Sequence, residues 1–205
     1  MEQEVWVVRH GQRQDTVDPD WELTADRVHD PGLTELGRWQ AWRVGRFFAD
    51  HGIAFEAAYC SPFLRTVQTT AEIHGEIGQP AWLEPGLGEH RNAEWFDSEP
   101  ETLSHRTLVD YFGPIQDGHE PVVIPEFPES HQEAEQRAGR AAQLLANQHE
   151  GSLLLVGHGL TIGGVVRGLV GSTEGVDAPL CGITRIERTG DDWELDFSGK
   201  VDHLE

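Results

Sequence analysis

The run Val5-Trp6-Val7-Val8-Arg9-His10-Gly11 limits what this chain can fold into more than any other stretch. Four apolar residues, mostly β-branched or aromatic, follow one another without a polar break. That pattern is a strand buried on both faces, as found inside a parallel sheet. Its carboxyl end carries arginine, histidine and glycine in succession. Open α/β sheets bind ligands where their strands end. His10 is therefore aimed at a crevice, and Arg9 makes that crevice attractive to anions. Ser152-Leu153-Leu154-Leu155-Val156-Gly157-His158-Gly159 repeats the pattern, with His158 between two glycines.

Between these strands the chain alternates strand and helix signals. Thr34 reads as an N-cap, and Leu36, Val44, Phe47 and Phe48 form one helical face that ends near His51-Gly52. Phe55 to Cys60 is a short strand. Ser61-Pro62 reads as the start of a helix to about Ile77, which puts Arg65 in a first turn, where free N–H groups favour phosphate. Ala81 to Glu84 is a further strand, and Glu89 follows on a glycine-rich loop. His131 to His149 keeps helical spacing through Ala134, Ala138, Ala141, Ala142 and Leu145. A helix over Leu160–Val170 follows, then two strands, Gly182–Arg188 and Trp193–Phe197, as an antiparallel hairpin.

Two stretches are irregular. Gln12 to Gly32 is polar and long for a connection inside a compact domain, a length often tied to function. Arg13 on it can turn back toward the crevice of Arg9. Arg91 to Ser130 holds several prolines, a helix near Glu101–Phe112 and the aromatics Trp95, Phe96, Tyr111 and Phe112. It is expected to cover the crevice, or to form satellite core. The length of 205 residues suits one α/β domain, residues 1–205, with this excursion at about 91–130.

The 36 acidic residues against 15 basic ones give a formal net charge of −21, and Lys200 is the only lysine. Such a field repels nucleic acid and anionic membrane, so neither is an expected partner. An anionic substrate has to be held locally, by arginines. Lysine scarcity with acidic excess also suggests a high-salt habitat, where self-repulsion is screened. Cys60 and Cys181 lie in apolar surroundings, and no signal-peptide pattern or bilayer-length apolar run is present, so a cytoplasmic location is expected. Oligomeric state is not legible.

If the sheet is mainly parallel, its carboxyl edge gathers Arg9, His10, Arg65, Glu89 and His158. Three chemistries are compatible with that set. One is a zinc site of His10, His158 and Glu89, against which the fixed cations argue. One is a phosphate-binding module without catalysis. The third is phosphoryl transfer through histidine, in which arginines hold the phosphoryl oxygens, a histidine attacks phosphorus and a carboxylate manages the leaving-group proton.

The ordered set Arg9-His10-Gly11, Ser61-Pro62 with Arg65 and Gln68-Thr69-Thr70-Ala71, Gly88-Glu89, and Gly157-His158-Gly159 resembles the histidine phosphatase superfamily, also called phosphoglycerate-mutase-like. The segments Asp30 to Gly37, Tyr59 to Pro62 and Glu84 to Leu87 are similar to phosphatase domains of the T-cell-ubiquitin-ligand type, which include protein tyrosine and small phosphoester phosphatases. The resemblance implies a three-layer α/β/α sandwich on a mostly parallel sheet. It implies a phosphomonoesterase of the histidine acid phosphatase type that needs no metal and no cofactor. It makes His10 the nucleophile, Glu89 the general acid and then base, and Arg9, Arg13, Arg65 and His158 the phosphate pocket. The substrate would be a small phosphate ester or a phosphoprotein. The mutase alternative is weakened because no run of basic residues suited to a bisphosphorylated cofactor follows Glu89.

Overall fold

A computed structural model of the chain describes residues 3–205. Its strands are β1 (Glu4–Arg9), β2 (Ala57–Cys60), β3 (Ala81–Leu83), β4 (Ile115–Gln116), β5 (Leu153–Gly157), β6 (Ile183–Thr189) and β7 (Asp192–Lys200). Its α-helices are α1 (Trp21–Thr24), α2 (Glu35–Asp50), α3 (Leu64–Ile77), α4 (His105–Tyr111), α5 (His131–Gln148) and α6 (Gly159–Val170). The sheet runs β4-β3-β2-β5-β1-β6-β7. The pairs from β4 to β1 are parallel, and β6 and β7 add an antiparallel edge.

Alternation along the strands divides the interior in two. Trp6 and Val8 of β1 point to one face, with Ala41, Val44 and Phe48 of α2 and Val67 and Ile73 of α3. Val5 and Val7 point to the other, with Ala141, Ala142 and Leu145 of α5 and Ile162, Val165 and Val166 of α6. The result is the three-layer α/β/α sandwich, with a mixed, mostly parallel sheet. Phe48 is fully buried, edge-on to Trp6 at 5.6 Å. Truncating such a ring to alanine typically costs ~3–5 kcal/mol. No described helix is long and apolar enough to cross a membrane. Cys60 and Cys181 are free and buried, and burial pushes the Cys60 thiol up to about 12.

Helix boundaries follow local chemistry where side chains are free to cap. Thr34 accepts the Gly37 N–H at 2.9 Å and starts α2, and Gly52, at φ +63°, takes the left-handed turn just beyond its end. The start of α3 differs from the sequence expectation. Ser61 is not its cap, because the Ser61 hydroxyl pairs with His158 Nε2 at 2.8 Å. The Leu64 N–H instead reaches the carboxylate of Asp30, at 2.7 Å, 34 residues earlier. A buried carboxylate therefore already sits at the helix N-terminus, and the Leu64 N–H is not free as the sequence reading expected. In the excursion, only His105–Tyr111 is helical, capped by Ser104, so residues 101–104 fall outside the expected helix. Ile115 and Gln116 join the sheet edge beside Ala81 and Trp82.

Register brings the strand ends into one row. Arg9 lies opposite Gly157, Cys60 opposite Val156, and Cys60 opposite Leu83. The next residue in each strand is thus His10, His158, Ser61 or Glu84, along one edge.

Candidate active site

His10 closes β1. Its backbone N–H donates to Gly157 O at 3.0 Å, and its ring is 1% exposed. The strand end cannot drift from α2, because a Cβ on Gly11 would stand 2.4 Å from Gly37 O and one on Gly37 would stand 2.2 Å from Gln12 O. Nδ1 of His10 lies 2.8 Å from Gly11 O. A carbonyl only accepts, so Nδ1 carries the hydrogen and Nε2 of the neutral ring holds the lone pair. Burial, then Arg65 and His158, push the His10 pKa well below the usual imidazole range. The ring is neutral at pH 7.

Arg65 is 2% exposed in the first turn of α3. One terminal nitrogen lies 3.2 Å from Glu89 Oε2, and its guanidinium sits 4.6 Å from the Phe63 ring centre. Arg9, the last residue of β1, donates to Ala178 O at 2.6 Å. Burial lowers both arginine pKa values from an ordinary value so high that the groups stay charged at neutral pH. His158 is fully buried, 5.4 Å ring to ring from His10. Ser61 Oγ lies near the Phe63 N–H, at 3.4 Å, and offers its own hydrogen to His158 Nε2. That fixes the proton of the neutral ring on Nδ1, which stands 3.3 Å from Glu89 Oε2.

Glu89 closes this floor. Burial pushes its carboxyl up, but His158, Arg65 and the His90 N–H outweigh burial and hold it well below the usual carboxylate range. Burial takes His158 down to about 4 despite the pull of Glu89. At neutral pH the pair is a carboxylate and a neutral imidazole. Among these residues, Arg9 Nε and Arg65 Nε and Nη1 are buried nitrogens with no hydrogen-bond partner, and His158 Nδ1 meets only Glu89 Oε2, at 3.3 Å. Buried donors left unpaired are costly, so this group is a set of N–H groups built to meet an acceptor.

Arg13 is placed differently. It lines the same cleft, but its guanidinium is 32% exposed and paired with Asp15 at 2.9 Å. It belongs to the rim rather than to the buried floor. The three donor atoms of His10, Glu89 and His158 lie within 4.8 Å of one another, close enough to surround a metal ion. The donor set is acceptable for zinc, but Arg65 already supplies the positive charge against Glu89, and Arg9 lies in the same cleft. Two fixed guanidinium charges beside a dication fit poorly.

The residue that sequence reasoning missed is Arg137 on α5. Its fork grips Glu129 through Nε–Oε2 at 2.8 Å and Nη2–Oε1 at 2.6 Å. The same guanidinium donates to Gly86 O at 2.8 Å, Gly88 O at 3.2 Å and Glu89 O at 3.2 Å. Arg137 thus ties three carbonyls of the Glu89 loop to a helix. Arginine and glutamate eight residues apart, across a helix start, give no periodic signal.

Arrangement and fold together gather arginine donors, a neutral histidine and a carboxylate on the carboxyl edge of a mostly parallel α/β sheet. Residues 5–200 match the model of the histidine phosphatase superfamily (branch 1), and the chain belongs to that family. It is 30% identical to the "Probable phosphoglycerate mutase GpmB" of Erwinia tasmaniensis, over 98% of this chain and 95% of that one. It is 27% identical to the ecdysteroid-phosphate phosphatase of Drosophila melanogaster, over 82% of this chain but 24% of the longer relative. Among solved structures, the ecdysone phosphate phosphatase of Bombix mori, in complex with tungstate, superposes with a TM-score of 0.80 at 22% identity, covering 94% of this chain and 91% of that one. A phosphoserine phosphatase mutant of Entamoeba histolytica gives 0.68 at 19% identity, over 99% of this chain and 100% of that one.

Proposed function

We propose that this member of the family is a metal-independent phosphomonoesterase that works through a phosphohistidine at His10. Arg9, Arg65 and His158 Nδ1–H hold the phosphoryl oxygens. The lone pair on His10 Nε2 attacks phosphorus, the P–O ester bond breaks, and the leaving oxygen takes a proton from Glu89. Water then attacks phosphorus, the P–N bond breaks, Glu89 takes the water proton, and inorganic phosphate leaves with His10 restored. Glu89 is ionised in the free protein, so a monoanionic ester brings the proton. The phosphoryl charge settles against Arg65 and raises the Glu89 pKa enough to receive it.

The observation that carries this reading is the set of three unpaired buried arginine nitrogens, on Arg9 and Arg65, beside a neutral histidine and an ionised carboxylate. Phosphate binding alone would need the donors but not Glu89 beside a free Nε2. The two unpaired thiols suit a cytoplasmic enzyme.

A second reading, a phosphoglycerate mutase, is favoured by the Erwinia relative. It is opposed by the outer cleft, whose one arginine, Arg13, is already neutralised by Asp15. The deciding experiment incubates the protein with 3-phosphoglycerate, and separately with 4-nitrophenyl phosphate in excess chelator. Release of phosphate from the aryl ester without isomerisation of the glycerate supports the hydrolase. Isomerisation faster than phosphate release establishes the mutase, and loss of activity to the chelator that zinc restores establishes a metal site.

A further inference from the structure

Resting on that hydrolase reading, we infer that the leaving group is an uncharged, ring-sized apolar alcohol that packs against Trp95. The floor described above accounts for the phosphoryl group and leaves the rest of the cleft to the alcohol. The larger recess, about 570 Å³, runs outward from Arg9 and Glu89 past Trp95, His131, Leu160 and Gly163. Its volume is of the size that holds a compact organic group. A second recess that Trp95 also borders is walled by Val28, Pro31 and Phe96. Trp95 is shared by both.

Trp95 is 59% exposed but is not loose. His90 stands edge-on to it at 5.5 Å, and His90 is itself buried and pinned by Glu129 O at 3.0 Å. Phe96 lies at 6.4 Å from Trp95, and His29 is edge-on to Phe96 at 4.8 Å. A braced indole with an open face is a stacking platform, because it loses little freedom when a ring covers it.

Charge excludes the alternatives. Glu135 of the larger recess is paired with Arg167 at 3.1 Å, and Arg13 with Asp15 at 2.9 Å. Outside the floor, no arginine or lysine among the described residues lining either recess is left for a second anion. A carboxylate or second phosphate on the leaving group would meet only these closed ion pairs, with no free cation to hold it, within a chain of net charge −21. Gly163 leaves the wall flat, since a Cβ there would approach only Glu135 Oε1, at 3.5 Å.

The test uses three esters of primary alcohols, so that the leaving oxygen is chemically matched: 2-phenylethyl phosphate, ethyl phosphate and 3-phosphoglycerate. The expected order of kcat/KM is the order given, with about threefold to tenfold for the ring. Trp95→Ala should remove that ring advantage, mainly through KM, and Trp95→Phe should restore most of it. Turnover of 3-phosphoglycerate equal to or faster than that of 2-phenylethyl phosphate overturns the proposal. So does Trp95→Ala slowing the phenylethyl and ethyl esters by the same factor. Failure on all three, with 4-nitrophenyl phosphate hydrolysed normally, overturns this proposal alone. Failure on 4-nitrophenyl phosphate as well overturns the hydrolase reading beneath it.

Discussion

The floor of the cleft and its rim are built in opposite ways. The floor hangs from strand ends and one helix turn, and His10, Arg65 and His158 are each 2% exposed or less. Its groups hold each other's protonation and orientation through Gly11 O, Ser61 and Glu89. The rim comes from the connections at residues 12–32 and 91–130. Its arginine is paired with Asp15, and its tryptophan is open to solvent. On the proposed function, the chemistry sits where the sheet fixes it, and substrate choice falls to connections whose length and composition can change without moving the sheet. Disturbing the floor should therefore change rate on every ester, and disturbing the rim should change preference among esters.

The sharpest break within the floor is Glu89→Gln, which keeps shape and removes the proton. General acid catalysis contributes roughly 10²–10⁴-fold when a leaving group needs it. An alkoxide needs it and 4-nitrophenolate hardly does. Single-turnover phosphorylation of the variant should slow by that order with an alkyl ester and far less with 4-nitrophenyl phosphate. Equal slowing on both would make Glu89 a structural charge. Next is Arg65→Ala, expected to lower kcat/KM by on the order of 10²–10³ on all esters. Arg65→Lys should recover part of that, because it restores the charge but not the planar fork. An effect confined to one substrate would move Arg65 from the floor to the rim.

A smaller effect is expected from Arg137, which touches no substrate and acts through the Glu89 loop. Arg137→Lys keeps the charge beside Glu129 but cannot reach Gly86, Gly88 and Glu89 together. It should cost about tenfold, since misplacing a catalytic group by ~1 Å can cost up to 10²-fold. The cost should fall on alkyl esters more than aryl ones, the signature of Glu89. A loss equal on both ester classes would mean Arg137 only supports the fold. The smallest effect is on stability. His10, His158 and His203 are held below the ordinary imidazole value, His158 and His203 at about 4. Unfolding frees them to bind protons near pH 6.5, so the unfolded chain binds more protons between about 6.5 and 4, and stability falls as pH falls through that window. Calorimetry at fixed ionic strength should show Tm lower at pH 5 than at pH 7 by on the order of 5 °C. An unchanged Tm would mean these rings are charged in the native state.

The floor was legible in the sequence where its members follow or open a periodic element. Val5–Val8 and Leu153–Val156 announce buried strands, and Arg9, His10 and His158 simply follow them. Arg65 was placed correctly in a first turn, although for a reason the structure replaces: Asp30, far away in sequence, caps that helix. The rim was legible only as composition. Its aromatics could be named, but Trp95 and Phe96 are set by the packing of His90 and His29 rather than by any repeat. Arg137 was read only as part of a helix, because what distinguishes it is a set of carbonyls about 50 residues earlier in the chain. Ser61-Pro62 reads as a helix start because proline suits a first turn, and the partner that takes the Ser61 hydroxyl instead, His158, lies 97 residues on.

The central claim is that His10 Nε2 carries the phosphoryl group. Rapid acid quench of the protein with a substrate labelled at phosphorus tests it directly, with the bound label then challenged by acid and by alkali. The label should appear within the first turnover, be lost in acid on warming, survive alkali, and be absent from His10→Ala. Acid-stable label, or full turnover by His10→Ala, would contradict the account.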